Sequence, residues 1–236
     1  MTNQLQVNSE SRFAHFDELT VALAAQLWDL VETAVEENGS AAIVLSGGST
    51  PVPLYNVLRE LPLPWEALQL CLSDERWVEP SDDASNEGML LRELLPAEPR
   101  VAMVSMAKSA DTIAAEADRV SSELDELNSR WDVAILGMGT DGHTASLFPH
   151  ADGLDEAMTG DRSCVAVAPT GVEQARLTLS LRQLLKARRI VLLLRGSAKW
   201  QVYQEALAGD DQKAMPVRAI LHQRQVPVDV YWAADQ

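Results

Sequence analysis

A chain of 236 residues, 47% of them hydrophobic, is long enough to bury a substantial core, either as one large domain or as two small ones. Its 19 Lys and Arg against 35 Asp and Glu give a formal net charge of -16, which repels nucleic acid and anionic membrane surfaces except where positive charge is gathered locally. The opening MTNQLQVNSESRF lacks the apolar stretch of a secretory signal, and no apolar run approaches the ~20 residues of a membrane span, so the expectation is a soluble, cytoplasmic protein with no membrane or nucleic-acid partner.

From Asp17 to Gly39 the sequence sets Leu19, Leu23, Leu27, Leu30, Val31 and Ala34 on one face at helical spacing, with Asp17 placed to cap the helix and Gly39 to end it. AAIVL, Ala41 to Leu45, is a short apolar run closed by glycines, and Pro51 after it suits the first turn of a second helix. The alternation returns as LQLCLS before a helix from about Asn86 to Leu95, as RVAMV before a helix from about Asp111 to Ser129, and as DVAILG before a glycine-rich loop. Beyond lie CVAVA, RLTLS, RIVLLLR, a helix from about Ala198 to Ala208, and a final VDVYWA. Strands this uniformly apolar are covered on both faces. The pattern therefore predicts an α/β fold, a single domain over residues 1–236 with a doubly wound, mostly parallel sheet and helices on both sides. Cys71 and Cys164 each sit in a strand-like apolar run and read as core, not as a disulfide or metal site.

In open α/β sheets ligands bind where strands end and helices begin. The first such place is LSGGSTP: Gly47 and Gly48 let backbone approach a ligand, Ser49 and Thr50 offer hydroxyls, and the following helix presents unpaired N–H groups to an anion. It lacks the spacing of a Walker loop and of the dinucleotide fingerprint, so it is read as a phosphate or polyhydroxyl cradle, or as a simple capped turn. The second is LSDERWV, where Asp74, Glu75 and Arg76 follow a strand. Extended backbone puts Asp74 and Arg76 on one side, either converging on a ligand or forming a surface ion pair. The third is VAILGMGTDGHTASLFPH, in which Gly137 and Gly139 free the turn and Asp141 is spaced to hold the imidazole of His143. His15, His150 and His222 have no such setting and are read as structural or exposed. The fourth is the pair Arg176 and Lys199, cations placed to enter a site or to remain solvated. No His-Glu-x-x-His, aspartate-rich loop or Cys–His spacing occurs, and neither metal nor cofactor is expected.

Together, LSGGSTP, LSDERWV, Ser85-Asn86, GMGTDGHTASLFP, RLTLS and GSAK resemble the 6-phosphogluconolactonase family in order and spacing over nearly the whole chain. DGHTASLFP next to GMG is the most specific stretch, and His150 departs from the glycine often found there. The resemblance implies an α/β sheet like that of the related glucosamine-6-phosphate isomerase/deaminases. It also implies hydrolysis of 6-phosphogluconolactone in the pentose phosphate pathway, without a metal. By the same resemblance His143 is the general base and Asp141 orients it, while Asp74 fixes a sugar hydroxyl or the water. Arg76, Arg176 and Lys199, with Gly47, Gly48, Ser49 and Thr50, hold the phosphate or the developing oxyanion. Two alternatives stay open. One is an isomerase or deaminase that uses Asp74 for proton abstraction, although Phe148 stands where the deaminases carry a glutamate. The other is a silent sugar-phosphate sensor, which would need a DNA-binding partner domain. A monomer is compatible with the sequence.

Overall fold

Apolar runs too short to span anything but a sheet alternate with helices that bury one face, and the computed structural model assembles them into two sheets. It describes residues 7–95, 101–127, 130–171 and 174–234. In chain order the elements are β1 (Val7–Phe13), α1 (Phe16–Asn38), β2 (Ala41–Leu45), α2 (Val52–Glu60), β3 (Leu68–Leu72), β4 (Asp74–Arg76) and α3 (Asn86–Glu93). Next come β5 (Ala102–Val104), α4 (Ile113–Leu127), β6 (Val133–Leu136), α5 (Leu154–Thr159), β7 (Cys164–Val167) and β8 (Arg176–Leu179). The last are α6 (Leu181–Leu184), β9 (Ile190–Arg195), α7 (Ser197–Ala208), α8 (Val217–His222) and β10 (Val228–Ala233).

The main sheet is parallel in the order β1-β10-β9-β6-β2-β3-β5. Every residue of β6, and all of β9 but Arg195, is buried, as a sheet covered on both faces requires. From β2 the chain builds outward through β3 and β5, then returns to lay β6, β9 and β10 on the opposite side. The direction of building thus reverses between β2 and β6, the place at which an open α/β sheet leaves a crevice at its carboxyl ends.

Several sequence expectations need correction. β7 and β8 do not join the main sheet but pair antiparallel with the short β4 in a second sheet, β4-β8-β7. The switch lies at Ser73, whose N–H donates to Leu45 in the parallel ladder at 2.7 Å while its carbonyl accepts from Leu179 at 2.8 Å. A short apolar run satisfies either ladder, so burial pattern alone does not choose between them. Asp17 does not cap α1. His15, extended at φ -123, precedes the helix, which starts at Phe16 because that ring is drawn into the core at 1% exposure. Asp17 instead sits in the first turn, where its charge suits the helix dipole. Gly39 does end α1, left-handed at φ 77 with its N–H on Val35. The helix expected from Asp111 begins at Ile113, with the Thr112 hydroxyl accepting from Ala115 at 3.2 Å, and its expected last two residues, 128 and 129, lie outside the described residues. Cys71 and Cys164 are buried in β3 and β7.

β1 was hidden by its polar sequence, VNSESRF. It forms the edge of the main sheet beside β10, and a single carboxylate ties it down. Asp229, 1% exposed, accepts from Asn8 Nδ2 at 2.7 Å and Ser9 Oγ at 2.6 Å and pairs with Arg189 at the head of β9. Burial opposes its ionisation, but Ser9, Asn8 and Arg189 outweigh burial and hold the carboxyl below the usual carboxylate range. A lowered folded value means that the contribution of Asp229 is present above the ordinary value of ~4 and is lost as pH falls through the folded one. Asp229→Asn is expected to cost about 2–4 kcal/mol at pH 7, with the deficit shrinking below pH ~4. Urea unfolding of both proteins at pH 7 and pH 3 measures it; equal midpoints at pH 7 would show that β1 is held by its backbone alone.

Candidate active site

The crevice between β2 and β6 opens into a cleft of about 380 Å³. Its floor comes from the end of β2. The buried Tyr55 of α2 donates its hydroxyl to Ser46 O at 2.7 Å, fixing the point where the strand turns. A Cβ on Gly47 would fall 2.1 Å from the Asn86 carboxamide, and Gly48 takes φ 83, so neither position accepts a side chain without rearrangement. Gly47, Gly48 and Thr50 line the cleft, whereas Ser49 is exposed and does not.

One wall is the small sheet. Asp74 lines the cleft and accepts hydroxyl hydrogen bonds on both oxygens, from Ser73 at 2.9 Å and Ser146 at 2.6 Å. Arg76 and Arg176 lie directly opposite each other on β4 and β8. Like charges so placed repel. Burial, and then the neighbouring Arg76, lower the affinity of Arg176 for its proton. Arg76 donates to Ala84 O, while Nε of Arg176 is buried with no hydrogen-bond partner among the described residues. Two guanidiniums forced together beside a cavity, one with an unsatisfied donor, make a site for an anion. Arg176 reaches it from the start of an antiparallel strand, not from a carboxyl end as the other site residues do.

The facing wall is the loop after β6. His143 Nδ1 lies 2.5 Å from Asp141 Oδ1, and the same oxygen accepts the His143 backbone N–H at 3.1 Å. Burial opposes the charge on Asp141, but that backbone bond and the adjacent imidazole hold its carboxyl below the usual range. With its proton on Nδ1 toward the carboxylate, the ring keeps the Nε2 lone pair free. The pair fits only because residue 139 is glycine: a Cβ there would stand 2.1 Å from His143 Nδ1 and 2.4 Å from Asp141 Oδ1. Asp141 stands behind His143 and does not itself line the cleft. The Phe148 ring packs on the imidazole at 4.1 Å between centroids. Ala145 and His150 in this loop are left-handed, at φ 48 and φ 58, a region that residues with a Cβ adopt only at a cost. Lys199, in the first turn of α7, donates to Met138 O, and burial lowers its proton affinity against the opposing pull of Asp141. Among the described residues no three His, Cys, Asp or Glu side chains are grouped to hold a metal ion, and no helix is long and apolar enough to cross a membrane.

The model of the family described as glucosamine-6-phosphate isomerases/6-phosphogluconolactonase matches residues 14–232. The chain belongs to that family. A 6-phosphogluconolactonase of Pseudomonas aeruginosa is 39% identical over 213 residues, covering 89% of this chain and 88% of that protein. The crystal structure of a 6-phosphogluconolactonase from Shewanella baltica superposes with a TM-score of 0.92 at 39% identity, covering 96% of this chain and 97% of the other. A monomeric glucosamine-6-phosphate deaminase, 20% identical, shares the fold at a TM-score of 0.77 over 95% of this chain and 97% of that one.

Within this family member the structure brings the expected Asp74, Arg76, His143, Arg176 and Lys199 to one cleft, whereas the sequence reading, which named Glu75 and Asn86 within their motifs, gave no site role to them or to Ser146 and Arg195. Glu75 is fully buried and accepts from the backbone N–H groups of Arg76, Asn86 and Glu87, each at 2.7 Å, and from Ser85 Oγ at 3.0 Å. Burial pushes its carboxyl above the usual range, against those four donors. Asn86, so anchored at the start of α3, donates Nδ2 to Asp74 O at 2.8 Å and covers Gly47. The only trace of this in sequence is an acid between Asp74 and Arg76, which by alternation must face away from them. Glu75→Gln sets an amide NH₂ against backbone N–H groups. It is expected to lower stability at neutral pH by about 2–4 kcal/mol. In the surviving folded protein, kcat/KM should fall roughly ten- to hundredfold through misplaced Asp74, Arg76 and Asn86. Urea unfolding and steady-state kinetics on the same preparation test both, and unchanged values in each would leave Glu75 without a positioning role.

Proposed function

We propose that this chain hydrolyses 6-phosphoglucono-1,5-lactone to 6-phosphogluconate, as a single lactonase domain acting in the cytoplasm within the oxidative pentose phosphate pathway. The observation that carries the reading is the 2.5 Å His143–Asp141 pair facing a cleft that also holds Arg76, Arg176 and Lys199. A lactone is cleaved by water, and water needs a base near neutral pH. His143 Nε2 takes a proton from water as its oxygen bonds the lactone carbonyl carbon. The imidazolium, held by Asp141, then returns that proton to the ring oxygen as the carbon–oxygen bond breaks, so nothing is consumed but water. The cations and the Gly47–Thr50 loop hold the phosphate or the charge developing on the carbonyl oxygen. Both oxygens of Asp74 already accept from hydroxyls, which suits it to fixing a sugar hydroxyl or the water better than to abstracting a proton. The substrate is a small anion, and the net charge of -16 disfavours nucleic acid as a partner.

Phe148 separates this chemistry from deamination. Its ring lies against His143, where a deaminase carries a carboxylate to shuttle protons during sugar-ring opening. A phenyl group neither gives nor takes a proton, and it keeps water from that side of the imidazole. The retained His143–Asp141 pair likewise favours an enzyme over a silent sensor.

The decisive assay follows loss of freshly generated lactone, coupled to 6-phosphogluconate dehydrogenase and corrected for spontaneous hydrolysis; no acceleration sinks the proposal. His143→Ala should lower kcat by ~10²–10⁴-fold with a much smaller change in KM, the signature of a lost general base. A variant that retains most of its kcat would remove His143 from that role. The same wild-type sample should release no meaningful ammonia from glucosamine 6-phosphate, since ring opening lacks an acid–base partner whose loss alone costs ~10²–10⁴-fold. Deamination at a rate comparable to lactone hydrolysis would overturn the assignment.

A further inference from the structure

Arg195 closes β9 at its carboxyl end and lines the cleft beside Leu193 and Lys199, yet the reaction described above gives it no part. Its backbone is held against β10: it sits in register with Ala233, and the next N–H, of Gly196, donates to Ala233 O at 2.8 Å. The guanidinium lies over the ring of Phe16 at 4.8 Å from the centroid, and Phe16 is itself locked in the core at the start of α1. Among the described residues it enters no ion pair and donates no hydrogen bond. Arg76 and Lys199, by contrast, each give a donor to a carbonyl of the protein.

An exposed arginine held over an aromatic ring by a cation–π contact loses less freedom when an anion arrives than an untethered one would. A chain of net charge -16 repels a phosphorylated substrate at a distance, so an uncommitted cation in the cleft has a disproportionate effect on capture. We propose that Arg195 is a substrate-recognition residue that captures the anionic lactone, acting on binding and not on the chemical step. This inference rests on the lactonase reading. A charge contact to a phosphate that takes no part in bond breaking counts equally in ground and transition states, so its loss appears in KM.

The test compares wild type, R195Q, R195K and, as a control for the same charge change elsewhere, R162Q, whose arginine pairs with Asp118 on the surface. Each is assayed with freshly generated 6-phosphogluconolactone and with uncharged glucono-1,5-lactone over a range of salt concentrations, after thermal melts establish equal folding. R195Q is expected to raise KM for the phosphorylated lactone about three- to tenfold with kcat within about twofold, and to flatten the decline of kcat/KM with salt. R195K should keep the salt dependence because it keeps the charge. R162Q should behave as wild type, and the uncharged lactone should not distinguish the variants. Arg195 loses the proposed role if R195Q keeps the wild-type KM and salt slope, or if it loses equally on the uncharged lactone, which would mark a residue that shapes the cleft. A wild-type protein that fails to accelerate the phosphorylated lactone overturns the lactonase reading itself, and Arg195's role with it.

Discussion

The carboxylate of Glu75 holds the site together from beneath. It is a charge in the interior, which is tolerable only because three backbone N–H groups and one hydroxyl surround it. Two of those N–H groups open α3, so the anion caps that helix and faces the positive end of its dipole. Its negative charge, with that of Asp74, also offsets part of the repulsion that Arg176 feels from Arg76. One buried group thus fastens β4 to α3, delivers Asn86 to the β2 loop, and makes it possible for two arginines to stand side by side in a site awaiting an anion.

The same economy of charge runs through the cleft. The chain carries a net charge of -16, yet Arg76, Arg176, Arg195 and Lys199 all line one cavity with Asp74 as the acid among them. Burial weakens the hold of Arg176 and Lys199 on their protons, a cost that an incoming phosphate or oxyanion would remove. The acidic exterior keeps the protein dispersed, while the cavity concentrates the opposite sign where the substrate must stop.

The loop from Gly137 to His150 is where backbone strain gathers. Gly139 leaves the space that the His143–Asp141 pair occupies, Gly142 is left-handed at φ 79, and Ala145 and His150 adopt the same region without being glycine. The segment is anchored at several points: Thr144 Oγ1 donates to Gly137 O at 2.8 Å, Ser146 N to Thr178 Oγ1 at 3.2 Å, and Val217 N to Gly142 O at 2.9 Å. Strained residues persist where the surroundings over-determine them, and here the result is an imidazole pinned between a carboxylate and a phenyl ring.

What the sequence by itself determined is what short-range geometry controls. The buried face of α1, the strands β2 and β6, the turn at Gly39, and Asp141 spaced to meet His143 all follow from periodicity or from neighbours a few residues apart. What only the tertiary structure decided involves partners distant in the chain. Asp74 meets Ser146, Arg76 meets Arg176, and Asn86 fills the space above Gly47 because the chain changes sheets at Ser73, where either ladder would satisfy the same apolar run. β1 escaped the pattern for a related reason: polar bonds to Asp229, more than 200 residues away, hold it in place. Hydrophobic periodicity records burial against water, whereas a hydrogen bond between distant residues leaves no periodic mark in either of the segments it joins.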